Sequence, residues 1–104
     1  MAGPVFVAVV HGPSMVPALR HSDVLLVLRT ARVRPGQVVV VRFASLDGLL
    51  VKRAVRPVPG GWWVTGDNPY GSDDSRAHGP AEVVGRVLLR LWPRPGAIPR
   101  APGR

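Results

Sequence analysis

Cysteine is absent from the 104 residues, so the chain has no disulfide framework, no thiolate metal ligand and no cysteine nucleophile. Lysine is almost absent: thirteen of the fourteen basic side chains are arginine, and the one lysine is Lys52. Acidic residues number six, which leaves a formal charge of +8 at pH 7. No apolar run reaches membrane-spanning length. The longest early one, Val5 to Val10, has no charged region before it, which argues against both a transmembrane helix and a secretory signal. A soluble, cytoplasmic chain with no membrane span is the expectation.

What is present in quantity is Val, Leu, Gly and Pro. Short apolar runs separated by glycine and proline read as strands punctuated by turns. The expected strands are Val5 to Val10, Val24 to Leu28, Val38 to Phe43, Leu49 to Val55, Trp62 to Thr65 and Val84 to Leu91. Turns fall at Arg34-Pro35-Gly36, at Asp47-Gly48 as a two-residue hairpin, and at Pro59-Gly60-Gly61. Twelve prolines leave little room for helix beyond a single turn near Ser14 to Leu19. The fold class is therefore all-β, a small curled or barrel-like antiparallel sheet. Val38 to Val41 is apolar at every position, as in a strand covered on both faces. Residues 1–92 form one domain, and the Pro, Gly, Ala and Arg of residues 93–104 read as a disordered tail.

With thiol chemistry excluded, the reactive groups are oxygen and nitrogen side chains. Gly12-Pro13-Ser14-Met15-Val16-Pro17 sets a serine in a stiff turn just after a strand. A serine attacks well when its hydroxyl is held and a nearby base takes its proton. Lys52 lies in the apolar run Leu49 to Val55, where alternation puts it on one face with Leu50 and Ala54 while Arg53 points the other way with Val51 and Val55. Arginine stays protonated, whereas a lysine desolvated by apolar neighbours can give up its proton and act as a base. Lysine scarcity alone also fits a general Ala, Gly, Pro, Val and Arg bias. Serine with lysine nonetheless makes a known nucleophilic pair. A third segment, Gly66-Asp67-Asn68 with Ser72-Asp73-Asp74-Ser75-Arg76, is a polar stretch after the tryptophan strand.

Taken in order, Gly12-x-Ser14-Met15-x-Pro17, Lys52-Arg53, Gly66-Asp67-Asn68 and Ser72-x-Asp74-Ser75-Arg76 resemble the signal peptidase I family of serine-lysine proteases, from about Val10 to Pro93. The resemblance implies Ser14 as nucleophile, Lys52 as general base and Ser72 as the hydroxyl that orients the lysine. It implies that Arg53, Asp67, Asn68, Asp74 and Arg76 brace the site. Gly12, Pro13, Met15 and Pro17 around the serine, with Leu50 beside the lysine, become the candidate substrate-contacting residues. The strand before Ser14 and the one ending at Lys52 are the expected edges for an extended peptide. No cofactor and no metal are implied.

The chain departs from that pattern in three places. Gly12 stands where many members have a serine that helps bind the oxyanion, Pro13 has no N–H to substitute for it, and Ser22 replaces a usual glycine before Asp23. Unlike those family members, this chain is expected to work without a membrane anchor. The combined motifs, with Gly60-Gly61-Trp62-Trp63-Val64, look most like the short branch known as nickel-type superoxide dismutase maturation proteases. That likeness implies a soluble endopeptidase removing an N-terminal leader from a nickel superoxide dismutase precursor. Processing of exported preproteins is the alternative within the same chemistry. From another class, a small basic β-barrel could bind single-stranded nucleic acid through arginines and Trp62, Trp63 and Tyr70. Aromatic residues are only 6% of the chain and two of the three tryptophans are adjacent, so no nucleic-acid partner is expected. His11, His21 and His78 match no metal-binding spacing.

Overall fold

Valine-rich segments between glycine and proline turns form six strands in the computed structural model, which describes residues 3–70 and 73–101. They are β1 (Val5–Val9), β2 (Val24–Leu28), β3 (Val38–Phe43), β4 (Leu50–Val58), β5 (Gly61–Thr65) and β6 (Ala81–Trp92), with one short helix, α1 (Ser75–His78), before β6. The protein is all-β. Its sheet runs β1-β2-β6-β3-β4-β5 with antiparallel pairing at each step. A further pairing of Trp62 with Ala81 brings β5 back to β6, so β6, β3, β4 and β5 curl into a small barrel with β1 and β2 as a flange.

β3, apolar at every position but Arg42, lies between two cores. Val39, Val41 and Phe43 join Ala54, Val64 and Ala81 inside the barrel. Val38 and Val40 face the other way, toward Val10, Met15, Leu19, Leu25, Val27 and Val87. Strand alternation produces this division, and it fixes which β4 side chain meets which core.

Several boundaries differ from the sequence expectation for physical reasons. The β3–β4 connection is a loop over residues 44–49 rather than a two-residue hairpin, with Gly48 at φ 82°. β4 runs on to Val58 because Pro59-Gly60 closes it against β5, pairing Val58 with Gly61. β6 begins at Ala81, where pairing with Phe43 and Trp62 extends it ahead of its valine run. Residues 93–101, the described part of the expected tail, instead run along the body. Arg90 and Gly96 exchange backbone hydrogen bonds of 2.9 and 3.0 Å, and Arg90 Nε donates to the Arg94 carbonyl at 2.7 Å. Ile98 packs against the first core and the Pro99 carbonyl accepts from Arg53.

β2 crosses β6 closely at Gly85. A Cβ there would stand 2.6 Å from Val27 Cγ1 and 2.7 Å from the Leu28 carbonyl oxygen. Gly85→Ala is expected to cost about 2–3 kcal/mol, seen as a fall in thermal midpoint of ~10 °C or more.

Candidate active site

Ser14 sits in the turn that follows β1. Val16 N–H donates to the Pro13 carbonyl at 3.1 Å and Leu19 N–H to the Met15 carbonyl at 2.9 Å, which folds residues 13–19 into a short coil. Met15 and Leu19 are fully buried in the first core and anchor the coil, leaving Ser14 half-buried at the surface. Met15 is one of the candidate substrate-contacting residues of the motif, and it is 0% exposed. Its apolar side chain is consumed in packing.

Bonds from distant segments hold the turn. Asn68 N–H donates to the Ser14 carbonyl at 2.8 Å and Asn68 Nδ2 to the Pro13 carbonyl at 3.1 Å. Gly12, at φ 80°, donates its N–H to His21 Nδ1 at 2.9 Å. The buried Asp23 carboxylate accepts from Arg20 N–H at 2.9 Å and faces Arg90 at 3.6 Å, and Arg90 also reaches the Ala18 carbonyl. Ser22 adopts φ 75°, the left-handed region in which glycine is favoured, which explains why glycine is usual at this place in the motif. Among the described residues the Ser14 backbone N–H makes no hydrogen bond.

Lys52 enters the barrel from β4. It pairs in register with Val39, shares its face with Ala54 and Leu50, and is 1% exposed. No described carboxylate lies within ion-pair distance of it. Burial lowers its pKa below the ordinary value, and the charge of Arg76 acts in the same direction; Asp74 and Asp73 oppose but do not reverse the shift. Asp74 fails to pair with it because its oxygens are already engaged. They accept from Gly66 N–H at 3.0 Å, from Arg76 N–H and Nε at 3.1 Å each, and from the Arg76 guanidinium terminus at 2.7 Å. Burial alone would raise the Asp74 carboxyl, but these hydrogen bonds hold it below the usual carboxylate range.

Arg53 points to the opposite face, as alternation requires. Its guanidinium takes Asp67 in a bidentate pair and donates to the Gly36 and Pro99 carbonyls, both at 3.1 Å. The pair is almost wholly buried, at 6% and 2% side-chain exposure, so removing either partner strands a charge. It fixes the start of the 66–70 loop, whose Asn68 in turn holds Ser14. Ser75, which composition left unremarked, is buried and accepts from Val64 N–H at 2.8 Å, tying α1 to β5. Ser72, the residue expected to orient the lysine, lies outside the described residues.

The Ser14 turn and the Lys52 strand meet at a cleft lined by Val9, Val10, His11 and Ser14 on one side and Leu49, Leu50 and Val51 on the other. Of the candidate substrate residues, Leu50 lines this cleft, whereas Gly12, Pro13 and Pro17 lie outside the lining. β1 pairs only with β2, and β4 pairs with β5 only from Arg53 onward. Both walls therefore offer free strand edges. Among the described residues no group of three or more His, Asp or Glu side chains could hold a metal ion, and no helix is long and apolar enough to cross a membrane.

Comparison with known proteins adds an independent line. Residues 1–88 match the Peptidase S24-like family. The mitochondrial inner membrane protease subunit 1 of Xenopus tropicalis is 33% identical over 115 aligned residues, covering 84% of this chain and 69% of that protein. The mitochondrial ATP-independent inner membrane protease subunit 1a of Arabidopsis thaliana is 35% identical, covering 81% and 68%. The human inner membrane protease subunit 1 is 26% identical over a similar span, 84% of this chain and 69% of that protein.

Because the folded state lowers the lysine pKa, the unfolded chain binds more protons between the folded pKa and 10.5, and stability rises with pH through that window. Lys52→Met is expected to be more stable than the parent at pH 7 by about 1–3 kcal/mol. That advantage should shrink as pH approaches 10.5, as read from denaturant midpoints of both proteins.

Proposed function

We propose, from the premise that the chain belongs to the Peptidase S24-like family, that it is a serine endopeptidase in which Ser14 is the nucleophile and Lys52 the general base. One observation carries this reading. The only lysine of the chain is buried without an ion-pair partner on the strand whose preceding residues, Leu49 to Val51, line a cleft with Ser14. Burial shifts Lys52 toward the neutral amine against the fields of Asp74 and Asp73, and a neutral amine accepts a proton.

The steps follow. Lys52 Nζ takes the proton of Ser14 Oγ as the oxygen attacks the scissile carbonyl. Ser14 N–H, free of internal bonds, donates to the oxygen that becomes negative. The lysine ammonium then passes its proton to the leaving amine. Water, deprotonated by the same lysine, releases the acyl group and restores both residues. An extended peptide would lie between the free edges of β1 and β4 as an added strand, with Leu50 and Val51 against its side chains.

The substrate in this reading is an N-terminal leader on a soluble precursor in the cytoplasm, with a nickel superoxide dismutase precursor as the first candidate. It rests on the motif likeness to the short maturation-protease branch. A second reading, processing of exported preproteins beside a membrane, is favoured by the membrane proteases among the relatives and by the exposed apolar side chains Val5, Val7, Val9 and Trp92.

The test incubates the protein with nickel superoxide dismutase precursor, and separately with an exported preprotein, and reads new amino termini by mass spectrometry. The parent is expected to cleave the first substrate and expose a histidine near the new terminus. Ser14→Ala and Lys52→Arg should lose about 10³-fold or more while staying folded. Cleavage of the preprotein alone selects the second reading. Undiminished turnover by Lys52→Arg removes the lysine from the mechanism, since arginine keeps the charge but does not release its proton.

A further inference from the structure

We infer that His21 is a positioning residue for the nucleophile turn, and that it holds the turn only in its neutral form. A backbone N–H can only donate. The 2.9 Å contact from Gly12 N to His21 Nδ1 therefore fixes Nδ1 as a lone-pair acceptor and puts the ring proton of neutral His21 on Nε2. Protonation of Nδ1 would set a donor against a donor, and the bond cannot survive it.

The bond sits where the turn needs it. Val10 is secured to the 22–23 segment, since Val10 N–H donates to the Asp23 carbonyl at 2.9 Å and Ser22 N–H to the Val10 carbonyl at 2.8 Å. Beyond it, the Pro13 and Ser14 carbonyls are held by Asn68. Between these anchors Pro13 offers no N–H, and Gly12 at φ 80° is the most permissive residue, so its N–H is the tie available to fix the approach to Ser14. His21 is itself placed by a rigid turn. Asp23 N–H donates to the Arg20 carbonyl at 3.0 Å and Arg20 N–H to Asp23 Oδ2 at 2.9 Å.

The charged and titratable groups around His21 reinforce the dependence. Its ring lies edge-on to His11, with centroids 5.7 Å apart, and His11 lines the cleft beside Ser14. Arg20 and Asp23 flank it on its own turn, and the Asp23 carboxylate is already occupied by Arg20 N–H and Arg90. Histidine is the side chain whose ordinary charge change lies nearest neutral pH.

The inference rests on the proposed role of Ser14, and its first test is independent of turnover. In the Ser14→Ala protein, the Gly12 amide resonance should move with the same midpoint as the His21 ring protons in a nuclear magnetic resonance titration. A Gly12 amide indifferent to His21 protonation overturns the positioning role whatever the activity. Coupled titration, together with a parent protein that cleaves no peptide, leaves the His21–Gly12 bond in place and sinks the peptidase reading instead.

The second test uses activity. His21→Asn puts an amide oxygen near the position of Nδ1, accepts the same bond and does not titrate. It should keep turnover within about threefold of the parent at neutral pH, whereas His21→Leu should lose about three- to tenfold, mainly in kcat. In the parent, protonation of His21 should add a drop of about three- to tenfold to the Lys52 limb of log(kcat/KM) against pH, steepening that limb locally beyond a slope of about one. His21→Asn should hold a slope of about one throughout. Persistence of the steeper limb in His21→Asn assigns it to another group, His11 foremost, and contradicts the inference.

Discussion

A single amine enclosed in a small barrel sets the terms for the rest of the molecule. Lys52 occupies the β4 position that faces Val39, Ala54 and the interior of the barrel, and its polar end has no described counter-ion at pairing distance. An arrangement of this kind is unfavourable to the charged form, and a fold bears it only where the surrounding packing compels it. Here the compulsion comes from β3, which is apolar on both faces and commits β4 to one register. Asp74 stands near enough to act through its field yet is turned away by Arg76 and the Gly66 amide, which together engage both its oxygens. The local negative charge is thereby present without neutralising the lysine.

The Ser14 side is built differently. It has no regular secondary structure, and its geometry is imposed by bonds that arrive from elsewhere in the chain. Asn68 holds two consecutive carbonyls of the turn, and Asn68 itself follows Asp67, which is locked to Arg53 next to Lys52. A chain of polar contacts thus runs from the residue after Lys52 to the backbone of Ser14. On the other flank, Arg90 joins the Ala18 carbonyl, Asp23 and the Arg94 carbonyl, so the segment after β6 also bears on the turn. Two arginines therefore connect the 93–101 segment with both halves of the site.

Much of this was legible in the sequence, and the reasons are specific. β2 and β3 stood out complete because β2 is an unbroken run of valine and leucine and β3 opens with four consecutive valines. Ser14 and Lys52 stood out because one lies between prolines and the other is the sole lysine. The first residues of β6, Ala81 to Val83, carried no such signal, since they are strand because Phe43, Val41 and Arg42 lie opposite them. The four-residue α1 is specified by its Asp74 cap and by tertiary contacts, not by any period. His21, Asp23 and Ser75 went unassigned because each acts through a backbone group or partner supplied by folding. The contact of Arg90 with Ala18 spans 72 positions, and no local pattern announces it.

Because Lys52 is the only lysine in the chain, its titration can be followed without assignment ambiguity in protein labelled at the lysine ε-carbon. The measurement is the pH dependence of that one resonance in the folded protein. A midpoint well below the ordinary value of 10.5, returning to that value on unfolding, is what a desolvated, unpaired amine requires. A midpoint at or above the ordinary value would mean that the amine is solvated or paired, and Lys52 would then be a cation and not the base for Ser14.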